Sequence, residues 1–103
     1  MVKHVVTFKF SGTADERRTA SQRFREALLA LPEKIACLKS MEVGINENPA
    51  ESWDLTLIAV VPTMADVEVY AKDPAHVAAA AIVKPQIEAR ACVDWVTCEE
   101  CQD

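Results

Sequence analysis

The sequence predicts an α+β fold of the ferredoxin-like type, with the element order β-α-β-β-α-β and a four-stranded antiparallel sheet. Four stretches alternate between apolar and polar residues as strands do, and the stretches between them begin with helix-capping patterns. The chain has 103 residues, half of them hydrophobic, which is enough for one domain with a packed core. We expect that domain to span residues 1–97 and residues 98–103 to form a flexible acidic tail.

The first strand and the first helix are the clearest elements. The strand is predicted over residues 2–10, and His4 lies on its more apolar face. Thr13 and Glu16 form a capping box, after which apolar residues recur every three or four positions up to Pro32. The apolar face of the strand consists of Val2, His4, Val6, Phe8 and Phe10.

The second and third strands are predicted over residues 41–45 and 53–61, with a polar loop between them. Ile58 and Val60 make the third strand apolar on both faces, and Val5 does the same for the first strand. A solvated face would be more polar. We therefore expect the second face of the sheet to be covered by another copy of the chain, as a homodimer.

The second helix is predicted in two parts. The first begins after Thr63, with Met64, Val67 and Ala71 inward and Tyr70 beside them. The second begins at Asp73-Pro74, because aspartate caps a helix and proline tolerates the first helical position; it is expected to end near residue 83 or 84. Residues 91–97 are predicted to form the closing strand.

Composition and charge exclude several classes of partner. The net charge is −5 and there is no run of basic residues, so neither nucleic acid nor an anionic membrane is an expected partner. The first strand begins at Val2, which leaves no room for a secretory leader before it. The apolar runs are shorter than the ~20 residues that cross a bilayer. We expect a cytoplasmic protein.

The positions of the four cysteines do not indicate a cofactor site. Cys37 and Cys92 have apolar neighbours and are interpreted as small buried hydrophobic residues. Cys98 and Cys101 have the two-residue spacing of zinc and redox sites, but no second pair follows them. We interpret them as thiols of the tail, and we predict neither a metal site nor a cofactor.

Three stretches resemble one known family. VKHVVTFKF, SWDLTLIAVV and VYAKDPAHVAAAAIVKP are together similar to the stress-responsive A/B barrel (Dabb) domain, over Val2 to about Val96. The most specific matches are Lys3-His4, Tyr70 and the residues 74–77. The resemblance implies a homodimeric α/β barrel in which two sheets face each other with the helices outside.

The same resemblance implies a candidate site. Most members of the family have no assigned reaction, but a plant polyketide (olivetolic acid) cyclase is a characterised relative. The residues that match its pocket are His4, Tyr70 and His76, with His76 as general base. The family often has bulkier residues after this histidine, whereas residues 78–81 are all alanine here. Such a helix could leave a wider pocket or approach the sheet more closely.

The residue types suit acid–base chemistry on a carbonyl compound. Ring closure of the aldol type needs a base and a donor to an enolate oxygen. His76 would be the third residue of its helix, near the positive helix end, which favours a neutral imidazole. The structural alternative is a core histidine bonded to a tyrosine. Asp54 and Asp94 are interpreted as polar spots at strand edges rather than catalytic acids.

Three functions follow from these observations. The first is binding of a small apolar or carbonyl-containing molecule in a pocket between sheet and helices. The second is cyclisation of the polyketide type, with His76 as base and Tyr70 and His4 as donors. The third is a structural, stress-protective oligomer.

Overall fold

The computed structural model describes residues 1–97 and has the predicted ferredoxin-like α+β fold. One antiparallel sheet has the strand order β2-β3-β1-β4. Three helices cover one of its faces. The elements are β1 (Val2–Phe10), α1 (Ala14–Leu29), β2 (Ser40–Ile45), β3 (Leu55–Val61), α2 (Met64–Lys72), α3 (Pro74–Ala81) and β4 (Ile87–Val96), with short 3-10 turns at Leu31–Glu33 and Lys84–Gln86.

The helices begin where the capping patterns predict. Thr13 and Glu16 form a reciprocal capping box at α1, and Thr63 and Asp66 form another at α2. The Asp73 carboxylate accepts a 2.8 Å hydrogen bond from the main-chain N–H of Ala75, which caps α3. This cap separates α2 from α3.

Some element boundaries differ from the prediction. β3 begins at Leu55, two residues after the predicted start, and the carboxylate of the preceding Asp54 accepts a 2.7 Å hydrogen bond from the main-chain N–H of Phe10. β4 begins at Ile87, four residues before the predicted start, since it pairs with β1 as far as Phe10 across an irregularity in register. The helix α3 ends at Ala81, ahead of the turn that contains Pro85.

The core lies between the sheet and the helices. Phe24 and Leu28 of α1 pack against the buried face of β1 and β3, and Leu31 and Leu38 extend this core beyond α1. The buried strand residues are Val2, Val6, Phe8, Phe10, Leu55, Leu57, Ala59 and Val61.

The predicted inward face of α2 was partly wrong. Met64 and Ala71 are exposed, whereas Val67 packs against the core and Tyr70 is fully buried. Tyr70 faces the core in place of Met64 and Ala71, because its large ring buries more apolar area than an alanine or a methionine at the helix end.

The other face of the sheet has no helix over it and is largely apolar. Alternation along β1, β3 and β4 places Val5, Ile58 and Val93 in one row, and Val60 and Trp95 beside them. Val93 is 62% exposed and Trp95 43% exposed. Among the described residues, no helix is long and apolar enough to cross a membrane.

Candidate functional site

A cavity of about 330 Å³ lies between α3 and the helix-covered face of the sheet, within the usual range of small-molecule sites. The walls are mainly apolar: Val6, Phe8 and Leu57 come from the sheet, and Ala80 and Ala81 come from α3. The side chains of His4, Tyr70 and His76 all line it as well. The structure therefore brings the three residues named from the sequence to one cavity.

His4 is held by a residue of the neighbouring strand. β1 and β4 pair so that His4 lies opposite Asp94, and the imidazole Nδ1 is 2.5 Å from the Asp94 Oδ1. Because an ionised carboxylate only accepts hydrogen bonds, Nδ1 carries the proton and donates it. This assigns the tautomer and leaves the Nε2 of His4 as the other polar atom of the ring.

Tyr70 is the most unusual residue of the site. It is only 1% exposed, and its hydroxyl is buried with no hydrogen-bond partner among the described residues. Such a group costs free energy unless something bonds to it. Burial raises the pKa of Tyr70, which the charge of Arg90 partly opposes, so the phenol stays protonated at neutral pH and can donate.

His76 lies on the first turn of α3 and packs against Tyr70, with the two ring planes tilted by 58°. The ring centroids of Tyr70 and His76 are 4.6 Å apart, and those of His4 and Tyr70 are 5.7 Å apart. The Nδ1 of His76 is 2.9 Å from the main-chain oxygen of Ala71, so Nδ1 donates and Nε2 keeps its lone pair.

The electrostatics of His76 favour the neutral ring, as the sequence predicts, but mainly for a different reason. Burial lowers the pKa of His76, and the electrostatic influence of the neighbouring His4 and Arg90 lowers it further. The hydrogen bond to Ala71 and the charge of Asp73 act in the opposite direction. Desolvation, rather than the helix end, is thus the main cause.

The sequence interpretation missed Asp94 and Cys92. Asp94 was interpreted as a polar spot, yet it hydrogen-bonds His4. Cys92 was interpreted as buried, but it is exposed, because the outer half of β4 extends beyond the helices. Cys37 is half-buried against the core. Cys98 and Cys101 lie outside the described residues.

The alternation of residues along β4 is the sequence signal that could have indicated Cys92 and Asp94. Arg90, Cys92 and Asp94 are two residues apart, which places them on one face of a strand. That this face is the one with His4 depends on the register of β4 against β1, which a sequence alone does not define. Asp54, interpreted in the same way as Asp94, has a structural role: it bonds Phe10 and pairs with Arg17 at 3.3 Å.

One cluster has the donor types of a metal site. His4, Cys92 and Asp94 offer nitrogen, sulfur and oxygen atoms within 4.8 Å of one another. The thiol sulfur is 3.5 Å from both the imidazole nitrogen and the carboxylate oxygen. The nitrogen–oxygen separation of 2.5 Å is a hydrogen bond, closer than the ~3.3 Å expected of two tetrahedral zinc ligands each ~2.0 Å from the metal. Burial and the charge of Asp94 also raise the pKa of the Cys92 thiol, which disfavours the thiolate a metal needs.

A second depression, of about 410 Å³, lies between α1 and the loop after β2. Arg17 and Arg18 line it, but each is paired with an acidic residue, Asp54 and Glu47. Neither histidine reaches this depression. The cavity beside α3 is therefore the better candidate site.

Comparison with known proteins identifies the family. The family model "Stress responsive A/B Barrel Domain" (Dabb) matches residues 2–97. The chain belongs to this family. The resemblance that the three sequence stretches indicate is thus confirmed. No curated protein sequence matches the chain.

Solved structures similar to this Dabb chain include dimers without an assigned function. A dimeric ferredoxin-like protein from Bacteroides fragilis is 42% identical, with a TM-score of 0.87 over 91% of this chain and 93% of that one. A dimeric ferredoxin-like protein from Thermobifida fusca is 25% identical, with a TM-score of 0.77 over 93% and 90%. The hydroxynitrile lyase of Passiflora edulis shares the fold, at 14% identity and a TM-score of 0.75 over 95% and 94%.

Proposed function

We propose that this Dabb protein binds a small, largely apolar molecule with a carbonyl group in the cavity beside α3. The main support is the Tyr70 hydroxyl, which is buried at an apolar cavity and has no partner among the described residues. A ligand carbonyl oxygen would accept its proton and remove the cost of the unpaired group. The two imidazoles provide further polar atoms in the same cavity.

The binding proposal is tested with 2-octanone as an uncharged carbonyl probe, followed by amide chemical shifts. We expect shifts at the cavity residues of α3 and β1. Ala80→Leu fills the cavity and should abolish them. Ala78→Leu is the matched control, because Ala78 is exposed on the same helix and does not line the cavity. Equal binding by the two variants, or no binding by the wild type, would refute the proposal.

We also propose that the protein is a homodimer formed through the helix-free face of the sheet. The exposed Val93 and Trp95 support this proposal, as do the dimeric neighbours. A charge in the middle of such an interface is costly to bury. Val93→Glu should therefore give a monomer in sedimentation analysis where the wild type sediments as a dimer. A wild-type monomer at micromolar concentration would contradict the proposal.

A second candidate function is acid–base catalysis on the bound carbonyl compound. The specific observation is the arrangement of His76 and Tyr70: the His76 Nε2 keeps a lone pair, and the adjacent phenol can donate to an enolate oxygen. His76 would remove a proton α to the carbonyl, as in the first step of an aldol cyclisation. The hydroxynitrile lyase of Passiflora edulis indicates that lyase chemistry occurs on this fold.

Proton abstraction can be tested without the natural substrate. In D₂O, the wild type should accelerate the exchange of the α-protons of 2-octanone, measured by ¹H NMR. General-base catalysis contributes about 10²–10⁴-fold, so His76→Gln should lose at least ~100-fold. Ala78→Leu should keep the wild-type rate. If wild type and a His4→Ala, His76→Ala double variant are alike in exchange and in binding, the stress-protective oligomer remains as the function.

A further inference from the structure

The cavity has a positively charged mouth, formed by the two Lys or Arg side chains of the described residues that line it, Lys84 and Arg90. Both are exposed, while His4 and Tyr70 at the inner end are buried. Among residues 1–97, which the structure describes, no Asp or Glu lines the cavity. This is unexpected in a chain of net charge −5.

The position of Arg90 follows from the sheet. It lies opposite Phe8 across the β1–β4 ladder, and Phe8 is on the helix-covered face. Side chains on paired positions of antiparallel strands lie on the same face. The charge of Arg90 accordingly acts inside the cavity, where it lowers the pKa of both Tyr70 and His76.

Lys84 comes from the opposite wall. It begins the 3-10 turn that follows α3, next to the buried Val83. Among the described residues, neither Lys84 nor Arg90 takes part in an ion pair, whereas four other Lys or Arg side chains do. Two unpaired cations from different elements thus flank the entrance to an apolar space.

We infer that the ligand is an organic acid, with its carboxylate at Lys84 and Arg90 and its apolar part inside the cavity. An anion at the mouth gains two charge-assisted hydrogen bonds, and arginine matches the planar carboxylate. The inner end then places the hydroxyl of Tyr70 next to a carbonyl or hydroxyl group along the ligand chain. This inference rests on the proposed binding function and adds the chemical class of the ligand.

The volume limits the size of this acid. At ~30 Å³ per water-sized group, about 330 Å³ holds about ten groups. Octanoate has that size, and octanamide is its neutral counterpart of nearly equal shape. Octanoate and octanamide differ mainly in charge. The ratio of their dissociation constants therefore measures how much the charges of Lys84 and Arg90 contribute to binding.

Calorimetric titration of the wild type at pH 7 and low salt should show octanoate binding about tenfold more tightly than octanamide, because charged hydrogen bonds exceed neutral ones. Added salt should weaken the binding of octanoate, because it screens exposed charges. It should leave the binding of octanamide unchanged. Lys84→Gln with Arg90→Gln should remove the preference, because it weakens the binding of octanoate far more than the binding of octanamide. The control is Arg23→Gln with Lys39→Gln, which makes the same change in net charge away from the cavity and should keep the preference.

The outcomes separate the two proposals. If 2-octanone and octanamide bind and octanoate binds no better, the cavity is a binding site and the organic-acid inference is wrong. If the control variant loses the preference as fully as the mouth variant, the effect is one of net charge and the inference is also wrong. If none of the three probes binds, the binding function and the inference fail together.

Discussion

The helix-covered face of the sheet has two halves that differ in how they are filled. In the filled half, under α1, the rings of Phe8, Phe10 and Phe24 pack with centroids 5.3 to 6.4 Å apart. In the hollow half, under α2 and α3, the cavity of about 330 Å³ remains. The sheet contributes large apolar side chains to both halves, so the difference comes from the helices.

The side chains of α3 explain the hollow half. The helix presents Ala79, Ala80 and Ala81 where α1 presents Phe24 and Leu28. Protein interiors are usually packed to crystal-like density, so a space of this size needs a cause. The ring of Tyr70 packs against those of His4 and His76, and the alanines of α3 are too small to fill the remaining space. The volume of the helix side chains thus decides where this chain has a cavity.

The largest expected effect is a cavity in the filled half. Leu28 is fully buried, so Leu28→Ala should lower the free energy of unfolding by about 3 kcal/mol in urea denaturation. The neighbouring Leu29 is 40% exposed, and Leu29→Ala should cost less than about 1 kcal/mol. Equal costs would show that α1 does not pack as described and would remove the contrast between the halves.

Replacing an alanine by leucine should have different effects on protein stability in the two halves. Ala20 of α1 is buried in the filled half, so Ala20→Leu should destabilise the protein by about 2 kcal/mol through overpacking. Ala80→Leu adds the same atoms to the hollow half, where the cavity has room, and should change stability by less than about 0.5 kcal/mol. A large cost at Ala80, measured in the same denaturation assay, would mean that the cavity is not open in solution.

The sequence was sufficient to predict the fold and the family, since alternation and capping are local patterns. Thr13, Thr63 and Asp73 mark the helix starts in the sequence and cap the helices in the structure. The cavity could be anticipated only as one of two alternatives, because the run of small residues after His76 is compatible with either a wide or a closed packing. The structure has the wider one.

The partners of the site residues could not be predicted. Asp94 meets His4 through strand register, although the two residues are 90 positions apart in the sequence. Arg90 reaches the cavity through the same register. The missing hydrogen bond of Tyr70 is a property of its surroundings, which no local pattern encodes. Local patterns in the sequence are enough to identify the fold. The cavity lining depends instead on residues distant in the sequence that strand pairing brings together.

Removing the Tyr70 hydroxyl should have a smaller effect, of the opposite sign. An unsatisfied buried polar group costs about 1–3 kcal/mol, so Tyr70→Phe should raise the free energy of unfolding by about 1 kcal/mol. The same variant should bind 2-octanone more weakly, because it cannot donate to the carbonyl. A loss of stability would show that the hydroxyl has a partner in solution.

The smallest expected effect is the pH dependence due to His76. Its pKa in the folded protein lies below the usual 6.5, mainly because of burial, so between these values the unfolded chain binds more protons. Stability should therefore fall as the pH drops through 6.5 towards the folded pKa, and should level off above 6.5. Replacing His76 by Gln removes this titration, and the difference between the Tm–pH curves of variant and wild type isolates it. His4→Gln provides the comparison with the other imidazole of the cavity. If the Tm–pH curve of His76→Gln has the same slope as that of the wild type, the imidazole of His76 is solvated in the folded as well as in the unfolded protein. The hollow half would then exclude water from this ring no better than the protein surface does.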